Sequence, residues 1–310
     1  MIKLISLITC LLYACLLTGC GGAAASVSVA AAPSPPVGEA YLMEPEFVSS
    51  AEILLSPADV GITYTVETET LESENFSEEQ VKLTASHYEL PVLQALRANG
   101  EVITEAREPA EEQALLVVNA FNGAFDAWRV PDDSVAEMAQ ADYDSRPEMF
   151  VENGMYYADE LTYTVYTTGR LVSVLASSYS YYGGAHPNSV SMAWNYDLDD
   201  GAFLSPSAVA LDEPEFEAAV AAELIRQAQL RSKEAGAEAE DFYWEDYEDI
   251  LTDWTNYTVS FSQSGMIVSY SPYELGCYAS GAHTFTISNH FLKPFLSEYA
   301  LELLELDENS

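Results

Sequence analysis

The stretch LTYTVYTTGRLVSVLASSYSYYGGAHPNSVSMAWNYDLDDG, residues 161–201, decides the fold. Leu161, Tyr163, Val165 and Thr167 alternate with their neighbours, Gly169-Arg170 turns the chain, and residues 171–182 return. Val190, Met192, Trp194, Tyr196 and Leu198 then alternate with Ser191, Ala193, Asn195 and Asp197, the period of a strand with one buried face. Asp199-Asp200-Gly201 closes that strand as a turn. Connections this short join antiparallel neighbours rather than parallel crossovers.

Working outward, residues 62–71 and 80–90 are rich in Thr, Val and Tyr and read as strands. Residues 109–130 read as a helix, because Leu115, Val118, Phe125 and Trp128 recur at helical spacing. Asp132, Asp133 and Ser134 are ready to cap a second helix running toward Phe150. Downstream, a helix is expected over 213–234, with Phe216, Val220 and Leu224 on one face. A hairpin follows over 256–262 and 266–271, then a strand over 282–288 and an amphipathic helix over 291–306. Grouped strands with flanking helices predict an α+β fold, an antiparallel sheet of hairpins flanked by helices. The expected organisation is a leader over 1–19, a tether over 20–40, an N-terminal portion over 41–170 and a C-terminal portion over 171–310.

The leader follows from its three zones. Lys3 is the only charge before Glu39, residues 4–17 are almost wholly apolar, and Leu17-Thr18-Gly19-Cys20 ends the run. A short apolar stretch with small residues at the cut is the layout of a secretory signal, and it falls short of the ~20 residues a membrane span needs. The Leu-Thr-Gly-Cys ending resembles the bacterial lipobox, which implies lipid on Cys20 and an anchor on the extracytoplasmic face of the cell membrane. Residues 21–38 are uncharged Gly, Ala, Ser, Val and Pro, the composition of a flexible tether, and order is expected to begin near Tyr41. With Cys10 and Cys15 removed and Cys20 acylated, Cys277 alone remains in the folded part and no internal disulfide is expected.

Charge narrows the partners. Fifty Asp and Glu against eleven Lys and Arg give −39. Such a field repels phosphate backbones, excluding nucleic acid, and steers basic partners inward.

Two segments carry a family likeness. The first is Tyr181-Tyr182-Gly183-Gly184-Ala185-His186-Pro187-Asn188, followed by Trp194-Asn195-Tyr196-Asp197-Leu198. The second runs from Met266 through Ser271-Pro272-Tyr273-Glu274-Leu275 to Tyr278-Ala279-Ser280-Gly281. Together they resemble the RsiV-like extracytoplasmic domain family, the domain of unknown function 3298 type, and the similar portion that precedes the deacetylase in PdaC-like enzymes. The likeness covers residues 62–304. It implies a binding domain facing the cell wall, and in RsiV-type proteins that domain recognises lysozyme, a small basic enzyme. As written, the chain shows no cytosolic segment before its leader and no deacetylase after it, so only the shared domain is expected to carry over.

The expected contact surface is the pair of loops 180–188 and 271–281. Its residues are Tyr181, Tyr182, His186, Asn188, Tyr273, Glu274, Tyr278 and His283. His186 and His283 each follow Gly-Ala, an arrangement that serves either a polar pair or tight turns with backbone-bonded rings. No third ligand stands at metal spacing, and Asp197, Asp199 and Asp200 lack the spacing of a calcium loop, so no metal or cofactor is expected. No nucleophile motif is present, and no enzymatic activity is expected. The run 236–254 mixes carboxylates with Phe242, Tyr243, Trp244 and Tyr247. It reads as a solvated acidic helix with core-facing aromatics, or as an acidic surface with aromatic anchors. The two readings of function are capture of a basic, lysozyme-like protein and binding of a wall glycan through the aromatic loops.

Overall fold

Strands β1 (Thr63–Phe76) and β2 (Lys82–Leu96) form a long antiparallel ribbon, with Thr63 opposite Leu96 and Asn75 opposite Thr84. They follow a 3-10 turn, Pro57–Val60, that opens a computed structural model describing residues 57–130, 132–236 and 238–306. The leader, Cys20, the tether and the expected start near Tyr41 lie outside those residues. After β2 come four helices, α1 (Pro109–Gly123), α2 (Asp126–Arg129), α3 (Asp133–Ser145) and α4 (Pro147–Val151). This crossover brings β3 (Tyr157–Thr167) in parallel to β2, Thr84 opposite Tyr157. β4 (Leu171–Tyr181), β5 (Asn188–Asp197) and β6 (Ala202–Phe203) follow as antiparallel neighbours, so six strands lie in sequence order. α5 (Glu213–Glu234) and α6 (Tyr247–Thr252) lead to a second, antiparallel sheet of β7 (Thr258–Ser262), β8 (Gly265–Tyr270) and β9 (His283–Ser288). α7 (Asn289–Leu292) and α8 (Glu298–Leu303) end the described chain. The class is α+β, mostly antiparallel. The β2–β3 pair departs from the hairpin expectation because some sixty residues, four helices among them, connect its strands, a length that permits a crossover. Among the described residues no helix is long and apolar enough to cross a membrane.

Three expected helices are interrupted, each for a local reason. The first ends at Gly123, where the Asn122 side chain leaves helical company and brackets the β2 backbone. Leu93 N donates to Asn122 Oδ1 at 2.8 Å, and Asn122 Nδ2 donates to Leu93 O at 3.0 Å. The second starts as expected, Asp132 Oδ1 accepting from Ser134 N at 3.0 Å, but stops before Pro147, which disfavours helical geometry at Arg146 and opens α4 instead. The last breaks at Lys293–Phe295, a 3-10 turn, and restarts where Ser297 Oγ accepts from Ala300 N at 3.2 Å.

Alternation in β3, β4 and β5 puts Leu161, Val172, Val174, Ala176, Trp194 and Tyr196 on one face, packed against Ala114, Val117, Phe121 and Phe125 from the α1 region. Burying one such large apolar side chain contributes about 1.5–3 kcal/mol. The opposite face was expected to meet solvent. At its β5 end it is buried instead, because the second sheet packs there. Ser173 Oγ donates to Asn195 Oδ1 at 2.7 Å and accepts from Phe261 N at 2.7 Å, while Asn195 Nδ2 donates to Val259 O at 2.8 Å. The Ser173 and Asn195 side chains are thus paired, which is the condition for burying them, while the buried Ser260 Oγ of β7 has no partner among the described residues.

The second sheet's core gathers Phe216, Val220, Leu224 and Leu251 against Val268, Tyr270, Phe285 and Ile287. The β7–β8 turn is two residues, Gln263-Ser264, and Gly265 belongs to β8. Its φ is 145°, and a Cβ there would stand 2.0 Å from Ile287 O, so only glycine fits. Helix α5 also closes the outer edge of β9: Gln227 Nε2 donates to Thr286 O at 2.9 Å, and Arg231 donates to Thr284 O at 2.6 Å. Those bonds occupy carbonyls that would otherwise recruit another strand.

Candidate functional site

The loops 180–188 and 271–281, ninety residues apart in sequence, meet at one surface. Gly183, at φ 74°, makes the bend that the loop needs. Its base is fixed by Tyr182, whose ring packs on Tyr157 at 5.5 Å and whose hydroxyl donates to Asp159 Oδ1 and Oδ2 at 2.6 and 2.7 Å. Burial raises the Asp159 carboxyl above its ordinary value, partly opposed by that bond, and burial with Asp159 pushes the Tyr182 phenol far up. Tyr181 Oη donates to Gly184 O at 3.2 Å, and Asn188 is exposed as the first residue of β5, opposite Ser180.

His186 is the junction. Its ring stacks on Tyr278 with centroids 3.8 Å apart and planes 22° from parallel. Nδ1 lies 2.9 Å from Pro187 O, which can only accept, so Nδ1 carries the proton. In the neutral ring Nε2 then accepts from Tyr273 Oη, 3.0 Å away.

Tyr273 is held from the other side. Its backbone sits at φ 75°, a left-handed conformation that costs a tyrosine about 1–3 kcal/mol. Trp244 Nε1 donates to Tyr273 O at 3.1 Å, and Trp244 N donates to Leu275 O at 3.0 Å. Glu274 accepts from Ser271 N through Oε2 and returns a bond from its own amide to Ser271 O at 3.0 Å. The ring that this framework fixes is 52 % exposed. Strain maintained under an exposed aromatic fixes the ring in place while it faces solvent.

His283 does not share that surface. It lies beneath the loop, Nε2 3.1 Å from Ser280 Oγ and its ring 5.0 Å from Tyr243. Burial, then the Arg231 guanidinium, holds its imidazole below the ordinary value. Gly276 passes directly over it: a Cβ there would meet Phe242 O at 2.7 Å and His283 Nε2 at 3.0 Å. Among the described residues no three His, Cys, Asp or Glu side chains gather as a metal site would require.

The acidic run 236–254 divides between its two readings. Tyr243 and Tyr247 are buried, whereas Phe242 and Trp244 stand 38 and 37 % exposed. Trp244, whose indole is bonded to the Tyr273 carbonyl, is thus a residue at this surface that the candidate set above lacks. Its signal was present: Tyr243, Tyr247 and Leu251 repeat every four residues as a core stripe, and Trp244 falls off it.

Residues 211–289, from the approach to α5 through β9 and the first residue of α7, match the model of a family described as "Protein of unknown function (DUF3298)". No curated protein matches the chain significantly. A solved DUF3298 family member from Bacteroides fragilis NCTC 9343 is 14 % identical, with 79 % of this chain and 99 % of that chain covered and a TM-score of 0.49. A second, from Pseudomonas aeruginosa PAO1, is 17 % identical, with 76 and 96 % covered and a TM-score of 0.44. Residues 211–289 are thus similar to the domain of that family, whose function is unknown.

Proposed function

We propose that this chain is a lipoprotein, anchored through Cys20 on the extracytoplasmic face of the cell membrane, whose aromatic loop surface captures a basic wall-active protein such as lysozyme. The supporting observation is the junction of the two loops, where Tyr273, held at φ 75° by Trp244 and His186, offers its ring to solvent. An exposed, rigid tyrosine and tryptophan within an acidic surface form the residue mix of a binding hot spot. The net charge of −39 steers a basic partner toward it. This reading assigns the protein no catalytic step. The test is titration calorimetry of the full chain in mild detergent against lysozyme, at low and moderate salt. Binding at about one to one, weakening with salt, is expected, and Tyr273→Ala should weaken it by about tenfold or more. Absence of binding at low salt, where attraction is greatest, would overturn it. The exposure of Trp244 and Tyr273 also favours a second reading, stacking on a wall glycan, whose affinity for a neutral sugar would be indifferent to salt.

A further inference from the structure

The sheet face that carries the second sheet at its β5 end continues, uncovered among the described residues, at the end where β1, β2 and β3 lie. Register places two cross-strand rows there. One is Glu72, His87, Glu160 and Tyr179, from β1 to β4. The other, two residues along each strand, is Glu74, Ala85, Ala158 and Tyr181. Residues directly opposite in neighbouring strands share a face, and none of these eight is buried. The two alanines leave a groove of ≈ 290 Å³ whose rim also includes Tyr156, 40 % exposed.

Its walls already handle cations. Lys82 Nζ lies 5.3 Å from the Tyr156 ring centroid and pairs with Glu74, and His87 Nδ1 lies 3.0 Å from Glu72 Oε1. The Glu160 carboxylate, exposed on the opposite wall, has no ion pair or hydrogen bond with another described residue. Tyr179 connects the groove to the loops. Burial, then Glu160, Tyr156 and Tyr278, raise its phenol, and Tyr278 is the ring on which His186 stacks. A ring, a small apolar floor and a carboxylate without a partner suit the stem and charged head of a long basic side chain.

We propose that this uncovered stretch of sheet is the outer half of the docking surface, and that its occupant is a lysine or arginine of the captured basic protein, laid across Ala85 and Ala158 with its charge at Glu160. The inference rests on the capture reading for the identity of the partner, but the groove can be tested without it.

The full chain in mild detergent, labelled on alanine methyls, is titrated with hexalysine. The Ala85 and Ala158 methyl signals should shift, and Glu72→Gln with Glu160→Gln should weaken the interaction by about tenfold. A control pair of equal charge change away from the face, Glu112→Gln with Glu234→Gln, should weaken it far less. Unmoved methyls, or equal losses in both double variants, would overturn the groove by reducing it to general attraction. Lysozyme titrated against the same variants separates the two ideas. If hexalysine engages the groove while lysozyme fails to bind, the capture reading falls and the groove stands. If lysozyme binds with the same affinity to wild type and to the groove variant, the groove is no part of the docking surface.

Discussion

Asp197 is the residue whose loss should damage the fold most sharply. Its carboxylate is fully buried at the end of β5, and donors converge on it from three parts of the chain. Arg170 Nε and a terminal nitrogen lie 2.8–3.0 Å away, Tyr299 Oη 2.7 Å, and the amides of Asp199 and Asp200 2.9 and 3.3 Å. Asp197→Asn keeps the volume but turns an NH2 toward donors and strands the Arg170 charge. Removing one partner of a buried pair costs about 3–5 kcal/mol. Here Arg170 is 23 % exposed and keeps Asp199 and Asp200 at 3.5 and 3.4 Å. The expected loss is therefore about 2–3 kcal/mol, or roughly 5–10 °C in Tm for a chain of this size. Urea unfolding followed by circular dichroism at pH 7 reads it directly. Acid supplies the decisive check. Burial pushes this carboxyl upward, but Arg170, Tyr299 and the two amides outweigh it and hold the group below the usual range. The stability from a depressed carboxyl is complete above its unfolded value of about 3.9 and is lost as pH falls through the lower folded value. The gap between wild type and Asp197→Asn should thus close below about pH 4. A gap under about 0.5 kcal/mol at neutral pH, or one that acid leaves unchanged, would refute the assignment of the buried charge as the source.

Three further outcomes are expected. Ser173→Ala leaves the Phe261 amide and one acceptor of Asn195 unpaired in the dry seam, and should cost about 1–3 kcal/mol by urea unfolding. Asp159→Asn should stabilise the chain at pH 7, because burial raises the native carboxyl and ionising it there opposes folding. That gain should fade as pH falls through the raised folded value, which a series of thermal melts would follow. Gly276→Ala brings a methyl to 2.7 Å from Phe242 O, so the 271–281 loop must shift. Lysozyme affinity should drop while amide exchange in β1, at the far edge of the six-stranded sheet, stays near wild type.

How much of this was legible depends on whether the determining contact was local. The alternation from Leu161 to Leu198 revealed three strands and their buried face, because a period of two survives in any context that buries one side. The two recognition motifs could be located, yet the pairing of His186 with Tyr273 and Tyr278 depends on how two sheets pack, which no spacing encodes. The helix breaks at Gly123, Arg146 and Lys293 also follow from partners: periodicity continued through each, and a bond to β2, a proline or a new cap decided otherwise. The least legible feature was the row Glu72–His87–Glu160–Tyr179. Its β2–β3 step is parallel, between residues seventy-three positions apart, and a slip of one residue there would put Glu160 and Tyr179 on the face opposite Glu72 and His87.

That register matters because one sheet face is covered at one end and open at the other among the described residues, and the boundary is set by side-chain polarity rather than by strand length. Toward the β5 end the outward residues are Ser173 and Asn195, small groups that can be fully paired by the β7 backbone and so tolerate a second sheet above them. Ser191 marks the border, its amide donating to Ser271 Oγ at 3.1 Å. Beyond it come Tyr179, Glu160, His87 and Glu72, and desolvating these carboxylates beneath a sheet would cost several kcal/mol each without matched cations. The second sheet therefore stops where the charges begin, and the 271–281 loop lies at that line. On the capture reading, a basic partner at the loop would face the exposed charged rows next and would supply the cation that Glu160 lacks.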